Sequence, residues 1–214
     1  AILAWRDVSV RYKQTVVGFA WAFVRPFMTM VIFTVVFGHI ARLSSGDVTP
    51  YAVMVYGGLL PWTLFSSVFG DASASVMTNS NLISKVYFPR MIIPLSTIIV
   101  ALIDFAVSLT ILVGLMIWYR FLPGWQILLL PVFVALALLA SIGPALWASA
   151  IVVKYRDFRF VVPFLIQFGL YASPVGFSSA IVPPEWRLAY SLNPMVGIID
   201  GFRWCIVGGD SPIY

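Results

Sequence analysis

The sequence predicts an all-α fold, a polytopic transmembrane helical bundle of five spans preceded by an N-terminal amphipathic helix in the membrane interface. Three observations carry this. Residues 121–153 contain no Asp, Glu, Lys or Arg, a run longer than the ~20 apolar residues that one helical crossing requires. Comparable charge-poor runs recur along the chain. Charged residues make up 10% of the 214 and hydrophobic ones 61%, where an average globular protein is about 25% charged. No long stretch has globular composition, so 1–214 reads as one transmembrane domain.

Charges and turn residues delimit the spans in order. The first covers roughly 18–41, with Arg25 and Pro26 near its start, where Pro suits a first helical turn. The second covers roughly 50–70, the third 91–119 and the fourth 125–153. The fifth covers roughly 160–178 and is interrupted by Gly169, Pro174 and Gly176. With the N-terminus cytoplasmic, the inner segments hold Arg6, Arg11, Lys13, Arg25, Lys85, Arg90, Lys154, Arg156 and Arg159, and the outer ones Arg42, Arg120, Arg187 and Arg203. Every lysine falls inside, as the positive-inside rule requires. The C-terminus is then outside. The last residues, GGDSP onward, are turn-like, and a sixth span is expected to be missing from this chain. The start, AILAWRDVSVRYK, turns polar too soon for a cleavable signal peptide.

Composition also excludes chemistry. Cys205 is the only cysteine, which rules out an intrachain disulfide. His39 is the only histidine, and zinc sites draw about four ligands, commonly several His or Cys; no metal site is expected. The basic balance flanks apolar spans and reads as topology, with no nucleic-acid partner. Each Lys follows Tyr12, Ser84 or Val153, so no phosphate-binding G-K-[ST] ending exists. H-E-x-x-H and G-x-S-x-G motifs are absent. Catalysis by the chain itself is not expected.

Five segments carry polar chemistry. In 1–19, Trp5, Val8, Tyr12 and Phe19 share one helical face and Arg6, Ser9 and Lys13 another. This is an interfacial helix, either a plain anchor or a cationic platform (Trp5, Arg6, Arg11, Tyr12, Lys13) for an anionic lipid headgroup. In the inner loop 71–90, Asn79, Ser80 or Asn81 caps a short helix through Ile83, Lys85 and Val86, which Pro89 ends. With Tyr87 and Phe88 it is either a docking element or a tight turn with interfacial aromatics. The short inner loop 154–159, KYRDFR, offers Asp157 to Arg156 or Arg159, a surface pairing worth about 0–1 kcal/mol. Asp104 stands alone in the middle of span three. A charge there costs at least about 2.5–3.5 kcal/mol, so it is expected to face protein or water or to be held neutral, in a functional or a helix-bridging role. The outer segment 181–214 mixes Pro pairs with Trp186, Tyr190 and Trp204; it reads as short interfacial or re-entrant helices, a gate or an inert cap.

Four strings in this order resemble one family: RYKQTVVGFAWAFVRP (11–26), NLISKVYFPR (81–90), YRD (155–157) and LNPMVGIIDGFRW (192–204). Together they resemble the permease subunit of bacterial polysaccharide ABC exporters of the O-antigen, teichoic-acid and capsule type, over nearly the whole chain. The resemblance implies six spans, a homodimer in the inner membrane, and two separate ATPase subunits that bind the ATP and Mg. It implies export of a lipid-linked polysaccharide. Carried over, 11–19 belongs to the interfacial helix near the substrate's pyrophosphate. Asn81, Leu82, Lys85, Tyr87, Phe88 and Arg90 form the coupling helix, and Tyr155, Arg156 and Asp157 a second cytoplasmic contact. Trp186, Asn193, Pro194, Arg203 and Trp204 belong to periplasmic gate helices. Two copies would then enclose a pathway, for which Tyr56, Trp62, Phe65 and Phe69, near one face of span two, and Asp104 are candidates. The competing readings are a permease for a small lipid or drug, a membrane enzyme acting on a lipid at Asp104, and a scaffold or sensor without transport.

Overall fold

A computed structural model describes residues 18–36, 50–85 and 89–208. All regular structure among them is helical. The elements are α1 (Gly18–Phe33), α2 (Tyr51–Thr78), α3 (Ser80–Lys85), α4 (Ile92–Trp118), α5 (Leu130–Lys154), α6 (Phe158–Ala172), α7 (Pro184–Ser191) and α8 (Pro194–Val207). A 3₁₀ turn, Trp125–Leu129, leads into α5, and a second, Ser179–Ile181, precedes α7.

Among the described residues, α2, α4 and the continuous segment Trp125–Lys154 are long and apolar enough to cross a membrane. The chain is therefore a multi-pass membrane protein. Where five full spans are expected, the first and fifth appear as shorter apolar helices. α6 has 15 residues, about 22 Å of helix at 1.5 Å per residue, against a hydrocarbon core of about 30 Å. Span five is expected to falter at Gly169, Pro174 and Gly176. The helix instead runs through Gly169 and stops at Ala172, because Trp62 packs over the glycine. A Cβ there would lie 2.6 Å from the indole.

α2 is the buried axis. Its 28 residues pack against α1, α4, α5, α6 and α8. Tyr56, Leu60, Leu64 and Val68 are fully enclosed. Pro61 lies inside this helix, and the Thr63 hydroxyl donates to the Leu60 carbonyl at 2.9 Å beside it.

α5 meets α2 through a stripe of small residues, Ala137, Ser141, Ala145, Ala148 and Ser149, all buried. Water does not drive helices together in lipid, so close backbone approach and van der Waals contact must do so, and small residues at i, i+4 permit it. Toward the C-terminal ends of both helices, Phe69 and Ala72 of α2 pack on Ala145, Ala148 and Val152 of α5 and on Val162 of α6. The outward faces of α4, α5 and α6 stay apolar and exposed.

A larger side chain in that stripe has no room. Ala148→Leu should destabilise the detergent-solubilised protein by about 1–3 kcal/mol, the usual cost of overpacking, while Leu139→Ala on the exposed face of α5 should change little. Thermal unfolding of the two variants side by side checks this.

Candidate functional site

The helix directions gather two polar ends. At one end, α2 finishes, Asn79 turns the chain and α3 follows. The Leu82 and Ile83 N–H groups donate to the Asn79 carbonyl at 3.0 and 3.1 Å, and the Asn79 side chain donates back to the Ser75 carbonyl at 3.0 Å. The expected short helix thus exists over Ser80–Lys85. α4 begins here, and the α5–α6 turn returns here. Lys85, Arg90, Lys154, Arg156 and Arg159 are all exposed at this end, together with Asn81, Tyr155 and Asp157; Leu82 is half-buried. Lys154 Nζ lies 5.2 Å from the Tyr155 ring centre, and the Arg159 guanidinium 4.7 Å from that of Phe160. Tyr87 and Phe88 of the expected docking helix, and Trp5, Arg6, Arg11, Tyr12 and Lys13 of the expected interfacial helix, lie outside the described residues.

The opposite end is built around a break. After α6 the chain runs without helix through Ser173, Pro174, Val175 and Gly176, all buried. Buried carbonyls without helical partners need other donors, since leaving one unsatisfied costs about 1–3 kcal/mol. Arg203 supplies most of them. It is 8% exposed, although arginine is almost never buried without partners. Its Nη2 donates to the Pro174 carbonyl at 2.7 Å and to that of Val175 at 3.1 Å. Its Nη1 donates to the Phe177 carbonyl at 3.0 Å, and its Nε to the Met54 carbonyl of α2 at 3.2 Å. The Tyr51 hydroxyl donates to the Gly176 carbonyl at 2.6 Å.

The arginine's charge is balanced one turn earlier on α8, where Asp200 Oδ1 lies 3.7 Å from Nη1. α8 stands outside the spanning helices. Burial pushes the Asp200 carboxyl above the usual carboxylate range, while the Ser179 hydroxyl and the Arg203 charge pull it back. α8 starts on Asn193, whose side chain accepts from the Met195 N–H at 3.0 Å and donates to Ser173 Oγ at 3.1 Å. The cap of α8 and the end of α6 are thereby tied together.

The remaining predicted residues fall variously. Trp204 meets Trp125 edge-on, ring centres 6.4 Å apart, and Trp186 on α7 is exposed. Pro194 is exposed at the first turn of α8. Asp104 is half-buried on α4. Of the expected pathway aromatics, Tyr56, Trp62 and Phe69 are buried within the subunit. The Tyr56 hydroxyl donates to the Ser108 carbonyl of α4 at 3.1 Å, and Trp62, Phe65 and Phe69 stack in series, 5.3 and 5.8 Å between ring centres. Only Phe65 of the four keeps a half-exposed ring. Trp62, Phe65 and Phe69 share one helical face, but Tyr56, expected near the same face, lies about 120–180° away from them by the 3.6-residue period and meets α4. α2 is the bundle's axis and has neighbours on every side.

An exposed aromatic row lies elsewhere, on α6. Phe160, Phe164, Phe168 and Tyr171 are 63–66% exposed and occupy one face by their spacing. Phe164 and Phe168 stack at 6.5 Å. Gln167 is exposed beside them. The i, i+4, i+8, i+11 spacing was present in the sequence; its exposure depends on how α6 packs, which spacing does not encode.

A family model described as "ABC-2 type transporter" matches residues 1–207. The chain belongs to the ABC-2 type transporter family. An ABC-2 permease is a transport subunit that works with an ATPase partner. This ABC-2 chain is 28% identical over 203 residues to an O-antigen export system permease protein, RfbA, of Myxococcus xanthus, covering 94% of the chain and 77% of the relative. It is 24% identical over 212 residues to the RfbA of Klebsiella pneumoniae, covering 97% and 80%. It is 23% identical over 209 residues to a polysialic acid transport protein, KpsM, of Escherichia coli, covering 95% and 79%.

Asn193 should prove structural as well as local. Asn193→Ala should destabilise the purified ABC-2 chain by about 0.5–2 kcal/mol through loss of the cap. Asn193→Asp keeps the acceptor and should recover most of that in a thermal melt, giving up only the Ser173 bond.

Proposed function

We propose that this chain is the permease subunit of a bacterial ABC exporter that moves a lipid-linked polysaccharide, O-antigen-like, across the inner membrane. The observation that carries the reading is the similarity to O-antigen export permeases over 94–97% of the chain. That span includes the cationic end, the break and α8 together. In this reading the chain crosses five times with a cytoplasmic N-terminus, pairs with a second copy, and is driven by two separate ATPase subunits that bind ATP and Mg. Residues 1–19 lie in the interface, 71–90 contact the ATPase and 181–214 form the outer gate.

The charge distribution supports the orientation. The end carrying Lys85, Arg90, Lys154, Arg156 and Arg159 matches a cytoplasmic face. Coupling needs contacts that differ between the partner's nucleotide states. Asn81, Lys85 and Arg90, exposed at the foot of the axial helix, are placed to make them, with Tyr155, Arg156 and Asp157 beside them.

The pathway surface we assign to α6 rather than to the interior of α2. Sugar rings present C–H faces that pack on aromatic π-surfaces and hydroxyls that need polar partners. Phe160, Phe164, Phe168 and Tyr171 give such a surface, and Gln167 gives an amide. An amide facing lipid would be costly; facing a hydrated polymer it is matched.

Two measurements test the reading. Phe164→Ala with Phe168→Ala should lower cell-surface polysaccharide several-fold at unchanged permease level. Equal surface polymer would remove α6 from the pathway. Lys85→Glu with Arg90→Glu should abolish co-purification of the ATPase subunit. Retained co-purification together with normal export would end the coupling assignment.

A further inference from the structure

Carbonyls of four consecutive residues, 174 to 177, receive side-chain donors, and these come from two other helices. Arg203 of α8 supplies Pro174, Val175 and Phe177, and Tyr51 of α2 supplies Gly176. The same guanidinium reaches α2 at the Met54 carbonyl. It does so through a notch. A Cβ on Gly58 would lie 2.5 Å from Arg203 Nη2 and 2.8 Å from the Val175 carbonyl oxygen. Three segments therefore meet at one glycine: α2, the break and α8.

We propose that Arg203, seated over Gly58, is a positioning residue that latches the break and α8 to α2, so that the three move as one body during transport. The inference rests on the transporter reading above. α2 runs unbroken for 28 residues, about 42 Å, from this latch to α3 at the cationic end. A displacement begun at that end reaches the break only if something rigid joins α2 to it. Arginine suits the task because its planar fork offers five donors in fixed directions. Lysine keeps the charge but has one nitrogen and no fork.

The chain carries its own reporter. Cys205 is the single cysteine, it is fully buried, and it lies two residues beyond Arg203 on α8. The experiment uses the permease with its ATPase partner in native membranes. N-ethylmaleimide addition to Cys205 is read by mass on this chain alone. In the wild type Cys205 should be almost unreactive. Gly58→Ala, which leaves every donor in place but fills the notch, should raise its labelling rate at least tenfold, and Arg203→Lys should do the same. Gly114→Ala, whose added methyl meets nothing within 4 Å, should leave it unchanged.

A second readout separates positioning from mere packing. Trapping the partner with a non-hydrolysable ATP analogue should change wild-type Cys205 labelling several-fold, and Gly58→Ala should erase that response. If Arg203→Lys fails to accumulate, Gly58→Ala decides alone. Equal protection of Cys205 in Gly58→Ala and wild type would overturn the latch, as would a nucleotide response that survives Gly58→Ala. Surface polysaccharide, measured in the same strains, judges the export reading separately. A wild type that exports no polymer yet shows a protected, nucleotide-responsive Cys205 would end that reading and support the latch.

Discussion

Inside a bilayer no water is available for a backbone group that has lost its helical partner. That constraint shapes this molecule most visibly where α6 stops, after 15 residues or about 22 Å of helix, shorter than a core of about 30 Å. A helix would have satisfied its own carbonyls. The break cannot, and the fold answers with a buried arginine and a tyrosine. Once Arg203 is committed to those carbonyls, much else follows. Asp200 is needed one turn away to balance the charge, Gly58 is needed to make space, and Asn193 ties the start of α8 to Ser173 at the mouth of the same break. A charge this deeply buried is tolerable because its fork makes four hydrogen bonds to backbone oxygens and has a carboxylate 3.7 Å away.

The second constraint is the absence of a hydrophobic drive between helices. α2 is held by fit instead, with a row of Ala and Ser on α5 at its back and Gly169 of α6 under Trp62. This concentrates burial on α2 and leaves the outward faces of α4, α5 and α6 apolar. Those faces suit lipid. The aromatic face of α6 differs from the others in carrying a row of rings and an amide.

The two ends differ in electrostatic character for the same reason. At the cationic end Lys85, Arg90, Lys154, Arg156 and Arg159 are exposed. At the other end the principal cation is consumed by backbone. One end leaves its cations exposed; the other binds its principal cation to backbone oxygens. α2 connects them without interruption, and α2 packs against both α5 and α8, so the two ends share one mechanical element.

Much was determined by composition and order alone. The charge-free run 121–153 pointed to a membrane protein, and the charges bounding each run placed α4 and the segment 125–154 within a few residues, because hydrophobic length is a local property. α2 instead runs eight residues past its expected end at 70, into the expected inner loop, to Thr78. The short helix Ser80–Lys85 was legible for the same reason, with an Asn before it and a Pro after it. The strings around 81–90 and 192–204 pointed to the family before any packing was known. Tertiary structure decided which faces are inside. Trp62 and Phe69 share a face in the sequence, and only the position of α2 as axis buries it. Phe160, Phe164, Phe168 and Tyr171 share one too, and only the sparse packing of α6 leaves it open. Arg203 read as one outer cation among four. It became the keystone because four backbone oxygens and one carboxylate converge on it, and convergence of segments 149 residues apart is a fact of three dimensions that no local pattern encodes.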